Sequence, residues 1–134
     1  MPDPYLIGGG IHIYKTGAKL SVHSDFNYHP FFKLDRRLNL LLFVNENWSQ
    51  SWNGDLELWS EDVKECKKSI VPIANRCVIF STTSTSFHGV PKPINCPLGI
   101  TRNSIALYYY SNGRPQDERR NSHPTLWKKT TNDT

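Results

Sequence analysis

His23 and Asp25 are separated by one residue, Ser24, inside a stretch, residues 20–26, whose alternating pattern reads as a β-strand. Alternate side chains of a strand share a face, so an imidazole and a carboxylate stand about 7 Å apart at Cα and can converge on one cation. A His-x-Asp pair needs at least one more donor to hold an ion. His88, in a late strand at residues 86–90, is the candidate. Two histidines and one carboxylate with open coordination positions form the donor set of a non-haem Fe(II) centre. Taken singly, His23 also reads as an ordinary polar strand residue and His88 as one beside a turn. Arg102 and Ser104 share a face of the last strand, which continues Ile105, Ala106, Leu107, Tyr108. A guanidinium in such a strand is costly to bury unless it meets an anion, and its planar fork suits a carboxylate. The plain alternative is an edge-strand arginine whose head reaches water.

The elements that must position these groups are strands. Period-two alternation with β-branched and aromatic residues recurs at residues 11–14, 20–26, 38–44, 55–59, 69–73, 76–81, 86–90 and 100–110, between Gly, Pro and Asn clusters. Helical periodicity is nearly absent. About eight short strands in a chain of 134 residues predict an all-β or mainly β domain, with a jelly roll of antiparallel strands as the expected architecture. An immunoglobulin-like sandwich competes, but its Cys, Trp and Cys spacing is missing. Residues 1–112 read as one domain, and residues 113–134 as a polar tail expected to be partly disordered. The loops at residues 27–37 and 45–54 carry Tyr28, Phe31, Phe32, Trp48 and Trp52. These aromatics suit ligand contact or, equally, a hydrophobic cluster closing one end of the barrel.

Composition narrows the classes of function. The hydrophobic fraction of 37% with 16 aromatic residues supports one ordinary core. The longest apolar run, residues 40–44, is far too short to span a bilayer, so no membrane role is expected. The net charge is +4, of which the tail contributes five basic against three acidic residues, leaving a mild balance unlike a dedicated nucleic-acid binder. Cys66, Cys77 and Cys96 lack the close pairs of a zinc ribbon or redox motif and read as reduced packing thiols. No secretory leader is visible, which makes a cytoplasmic location the expectation.

In combination and in order, the segments resemble the Fe(II) and 2-oxoglutarate-dependent dioxygenases, within them the prolyl 4-hydroxylase-like branch. Residues 14–25 with Gly17 and the His-x-Asp, residues 36–45 followed by Trp48, residues 54–59, residues 80–91 around His88, and residues 102–110 carry the likeness. The resemblance implies a double-stranded β-helix, with His23, Asp25 and His88 as iron ligands and catalytic residues. It makes Arg102 the partner of the distal carboxylate of 2-oxoglutarate, assisted by Ser104. Tyr14 matches a tyrosine lining the cosubstrate pocket, where a core tyrosine is the alternative. Gly54, Asp55 and Leu56 resemble the family's Gly-Gly-x-Leu turn, with Asp55 at the second glycine. Because Asp25 stands where family halogenases have a small residue, hydroxylation is implied. The cofactors would be Fe(II), 2-oxoglutarate and O2, with ascorbate as reductant, and the products succinate, CO2 and a hydroxylated substrate, a prolyl residue in a peptide or protein being favoured over a free small molecule.

The sequence departs from the branch in three places. The interval from His88 to Arg102 is longer and contains Pro91, Pro93, Pro97 and Gly99, which implies an added surface loop. The third strand lacks the tyrosine that some prolyl hydroxylases use to bind the cosubstrate. Little sequence precedes Tyr14, so either the chain is a fragment or the helical layer against the major sheet is reduced or absent, which would leave one sheet face uncovered. The rival from another class is a non-catalytic jelly-roll module that binds sugar or peptide through Trp48, Trp52 and Trp59. A cupin is less compatible, since it expects a His-x-His pair. A truncated, inactive oxygenase is a further alternative.

Overall fold

Along Arg102–Ser111 fully buried and half-buried side chains alternate without a break, as expected of a strand flanked on both sides within a sheet. A computed structural model of the chain describes residues 1–130 and contains nine strands. In chain order these are β1 (Gly10–Tyr14), β2 (Leu20–Ser24), β3 (Asp35–Phe43), β4 (Leu56–Trp59), β5 (Cys66–Ile70), β6 (Cys77–Ser81), β7 (His88–Val90), β8 (Arg102–Ser111) and β9 (Leu126–Trp127). One sheet runs β1-β8-β3-β6 and the other β5-β4-β7-β2-β9, with every pairing antiparallel. This is the expected jelly roll. The only helices among the described residues are the 3-10 turns Gln50–Trp52 and Gln116–Glu118, and no helix is long and apolar enough to cross a membrane.

The four-stranded sheet turns an unusual face inward. Its buried side chains include Arg36, Asn39, Arg102 and Ser104, whereas Ile11, Ile13 and Ile79 point outward with 73%, 60% and 61% of their surface exposed. Neighbouring register places Ile11 and Leu42 against Ile105, and Leu40 against Leu107 and Ile79, so the outer face is a contiguous apolar field. No helix among the described residues covers this face. The polar inner face is tolerated because its charges find partners across the sandwich. Apolar packing sits elsewhere: Val22, Trp59, Val63 and Phe87 form one cluster, Trp48, Ile94 and Cys96 another, and Ala106, Tyr108 and Tyr110 a third.

Two β-bulges set the phase of side chains that matter for function. Between β2 and β7, Leu20 pairs with Val90 and His23 with His88, so three steps on β2 oppose two on β7. Between β3 and β8, Arg36 pairs with Tyr110 but Leu38 with Tyr109, giving β3 one extra residue. Each bulge puts residues three apart, Leu20 with His23 and Arg36 with Asn39, on one face.

Several boundaries differ from those expected. β3 begins at Asp35 rather than at 38, because a bridge from Tyr28 to Asp35 draws the preceding loop into the sheet. β5 covers Cys66–Ile70 instead of 69–73, since it pairs with β4 from Leu56 opposite Ile70 to Trp59 opposite Cys66, through a bulge. Among the cysteines, all unpaired, Cys96 is buried as a packing residue, but Cys77 is exposed on the outer face of β6. Residues 113–130, read in the sequence as part of a polar tail, contain the 3-10 turn Gln116–Glu118 and β9. Arg114 is buried, pairs with Asp35 at 3.0 Å and donates to the Arg36 carbonyl at 2.6 Å, while β9 joins the edge of β2. Residues 131–134 of that tail lie outside the described residues.

Candidate metal and cosubstrate site

β2 carries His23 inward through its bulge, Asp25 follows at the end of the strand, and β7 presents His88 directly opposite His23. Nitrogen or oxygen atoms from the three lie within 4.8 Å of one another. His23 Nε2 is 3.2 Å from Asp25 Oδ1, and His88 Nε2 is 3.3 Å from Asp25 Oδ2. Donor atoms bound about 2.1 Å from one ion at right angles stand about 3.0 Å apart, so this spacing is that of a ligand set.

The ring orientations agree. His23 Nδ1 donates to the Ser21 carbonyl at 2.8 Å and His88 Nδ1 to the Ser86 carbonyl at 2.9 Å. Each carbonyl can only accept, so Nδ1 carries a proton and Nε2 is turned to Asp25. Nε2 there either donates a proton to the carboxylate or offers its lone pair to an ion, and a positive charge between the three groups makes the arrangement favourable. Burial pushes the Asp25 carboxyl up, but hydrogen bonding to His23 and His88 and the charges of His88 and Arg36 prevail, holding it well below the usual carboxylate range. The donor set fits a divalent cation. Gly89 lets β7 approach β2 this closely, since a Cβ there would lie 2.7 Å from the Leu20 carbonyl oxygen.

A narrow cavity of about 80 Å³ opens on the triad, and its walls include Tyr14, Arg102, Ser104, Leu41 and Leu56. Larger clefts of about 370 Å³ exist near the tail, but no comparable cluster of metal-binding atoms lines them. Arg102 is 3% exposed. Its Nε donates to the Gly54 carbonyl at 2.6 Å, and its guanidinium lies 5.5 Å from the Tyr14 ring and 5.2 Å from the Phe43 ring. No carboxylate among the described residues is paired with it. Burial pulls its pKa down to about 10, still cationic at neutral pH, so a buried positive charge awaits an anion. Burial also raises the Tyr14 phenol, against the pull of Arg102, which keeps its hydroxyl a donor. Gly54 has φ +85°, and a Cβ there would come within 3.1 Å of Arg102 Cδ and of the Trp48 ring. This glycine therefore makes room for the arginine.

The structure brings all six residues singled out in the sequence, His23, Asp25, His88, Arg102, Ser104 and Tyr14, to one cavity. It also adds members the sequence did not reveal. His12, Asn39 and Tyr108 line the cavity, and Arg36 pairs with Asp25 at 3.1 Å. Trp127, in the unforeseen β9, packs its ring 4.8 Å from that of His23. The aromatic surface of the rival binding module is not available as imagined: Trp48 and Trp59 are each 7% exposed, with their indole N–H groups bonded to the Asn53 carbonyl and Glu57 Oε2.

The comparisons with known proteins agree with this geometry. The mouse (Mus musculus) prolyl 3-hydroxylase OGFOD1 is 29% identical over 79 residues, 56% of this chain and 14% of the mouse protein. A Pseudomonas putida prolyl-4-hydroxylase superposes with a TM-score of 0.55 at 18% identity, covering 78% of this chain and 52% of the other. A prolyl 4-hydroxylase from Phytophthora capsici gives 0.54 at 20% identity, covering 73% and 30%. The chain thus spans about half or less of each relative, and the structural likenesses speak for the fold. The sequence profile of the 2OG-Fe(II) oxygenase superfamily matches residues 9–110, from just before β1 almost to the end of β8, and with the convergent His, Asp and His this chain belongs to that superfamily.

Proposed function

We propose that this chain is an Fe(II)- and 2-oxoglutarate-dependent dioxygenase that hydroxylates a prolyl residue in a peptide or protein, with succinate and CO2 as coproducts. The observation that carries the reading is the meeting of two imidazole Nε2 atoms and a carboxylate around one point, beside a buried guanidinium that has no acidic partner among the described residues. His23, Asp25 and His88 would hold the iron. Arg102, helped by the Ser104 hydroxyl, would bind the C5 carboxylate of 2-oxoglutarate, and Tyr14 would donate a hydrogen bond from the cavity wall. The bound iron supplies oxygen activation coupled to cosubstrate decarboxylation. The protein's own contribution would be to orient the cosubstrate through a two-pronged ionic contact in a narrow cavity between the sheets.

A peptide is favoured over a free amino acid by the surroundings. An apolar cleft of about 370 Å³, lined by Ile7, Phe26, Tyr28, Pro30 and Pro124, begins at the residue following Asp25. On the other side, Trp127 is 57% exposed beside His23. Aromatic walls of this kind suit an extended, proline-containing segment. The experiment is succinate formation by the chain with Fe(II), ascorbate, 2-oxoglutarate and a proline-containing peptide, followed by mass analysis of the peptide for an added oxygen. Turnover in the parent and none in a His23→Ala, His88→Ala double variant is expected. Native-rate turnover in that variant would overturn the reading.

A further inference from the structure

Asp25 is held from the opposite sheet. Asn39 Nδ2 donates to Asp25 Oδ2 at 2.8 Å, and an Arg36 terminal nitrogen lies 3.1 Å from the same oxygen. The two donors are themselves tied together, since Arg36 donates from Nε at 3.1 Å and from its terminal nitrogen at 2.8 Å to Asn39 Oδ1. The guanidinium is 1% exposed and is stacked 3.6 Å from the centre of the Tyr108 ring, with the Phe26 ring at 4.5 Å. Such a fork can shift little. The bulge in β3 is what makes the unit possible, because in regular alternation residues 36 and 39 would point to opposite faces.

The asymmetry between the two carboxylate oxygens is the informative feature. Oδ2 accepts from Asn39, is ion-paired with Arg36 and lies 3.3 Å from His88 Nε2, whereas Oδ1 has no partner from the opposite sheet and faces His23 Nε2. The opposite sheet therefore grips the carboxylate by one oxygen, which fixes its rotation and leaves the other oxygen unencumbered from that side. We infer that Arg36 and Asn39 are positioning residues that fix the rotation of the Asp25 carboxylate by holding Oδ2 from the opposite sheet, so that Oδ1 stays turned toward His23 and the space between the three side chains. This rests on the metal-binding role proposed for the triad.

The test uses Asn39→Asp, which keeps the side-chain volume and the acceptor for Arg36 but replaces the donor facing Asp25 by an oxygen. Mn(II) affinity is measured by titration, and the ligand geometry is read from the visible absorption of the Co(II)-loaded protein, neither of which needs turnover. Circular dichroism verifies that the variant is folded. The inference expects Asn39→Asp to weaken Mn(II) binding at least about tenfold and to change the Co(II) spectrum. Should that variant not fold, Arg36→Lys serves: it keeps the charge but cannot fork to both Asn39 and Asp25, and the same weakening and spectral change are expected. Binding within twofold of the parent with an unaltered Co(II) spectrum in a folded variant would overturn the clamp. His23→Ala in the same series separates the two levels. Loss of metal in His23→Ala with no change in Asn39→Asp overturns the clamp alone, whereas a parent that binds neither ion removes the metal site and the clamp together.

Discussion

His23 and His88 are direct register partners across β2 and β7, with ring centroids 4.5 Å apart and both Nε2 atoms turned to the carboxylate of Asp25. Two imidazoles brought this close by strand pairing are preorganised for an ion, because little ordering remains for binding to impose. Mn(II), as a stand-in for Fe(II), is expected to raise the unfolding temperature of the parent. At a hundredfold excess over Kd the stabilisation is about 2.7 kcal/mol. His88→Ala should abolish the shift, which differential scanning fluorimetry checks.

Arg102 should bind the dicarboxylate tightly because its charge is buried without an acidic partner. With metal present, 2-oxoglutarate is expected to give an additional thermal shift in the parent and none in Arg102→Ala. The metal-only shift should survive in that variant, because no metal-binding atom is removed.

Gly54→Ala tests the support behind that arginine. The new Cβ would stand 3.1 Å from Arg102 Cδ and from the Trp48 ring, at a φ of +85° that disfavours any side chain. A loss of about 1–3 kcal/mol in stability is expected, together with weaker 2-oxoglutarate binding at little-changed metal affinity. Chemical denaturation and isothermal titration measure the two effects.

The N-terminal segment should be acid-labile. Burial raises the Asp3 carboxyl, but hydrogen bonds from the Tyr5 and Ile7 amides and from His29 outweigh it and leave the folded pKa below the ordinary value. A carboxyl depressed on folding contributes stability that is full above its unfolded pKa and is lost as pH falls through the folded one. Amide spectra followed from about pH 6 to about pH 2 should show Tyr5 and Ile7 losing their native shifts in the lower part of that range. In Asp3→Asn this acid transition should be absent.

The inverted apolar distribution predicts unequal mutational costs. Phe87→Ala, in the cluster with Val22, Trp59 and Val63, should cost about 3–5 kcal/mol. Ile79→Thr, 61% exposed on the outer face of the other sheet, should fall within about 0.5 kcal/mol. Urea unfolding of the two variants decides.

Much of the site was legible along the chain because its members sit in short, self-identifying segments. His-x-Asp, the isolated His88 and an arginine out of place in an apolar strand each declare a chemistry that ordinary core packing does not need. Arg36 and Asn39 declared nothing. Their spacing of three fits no strand face, and only the extra residue in β3 relative to β8 reconciles it with two inward side chains. His23 owes its aim to a bulge as well, so the alternation that groups it with Asp25 is not by itself what orients it. β9 was missed because two residues are too few to show a period, and its pairing with β2 depends on Arg114 anchoring the tail through Asp35.

By itself the sequence determined the fold class and singled out the residues proposed to bind a cation and an anion, because alternation and residue chemistry are local properties that need no partner strand to be read. It could not say which face of the four-stranded sheet would be inside, and a leucine- and isoleucine-rich phase would ordinarily be placed in the core. Tertiary structure decided otherwise, turning Arg36, Asn39, Arg102 and Ser104 inward and leaving Ile11, Ile13 and Ile79 outside. The physical reason is that a buried charge is tolerated only opposite its partner, and such oppositions, Asn39 and Arg36 against Asp25 above all, exist only once the two sheets have met.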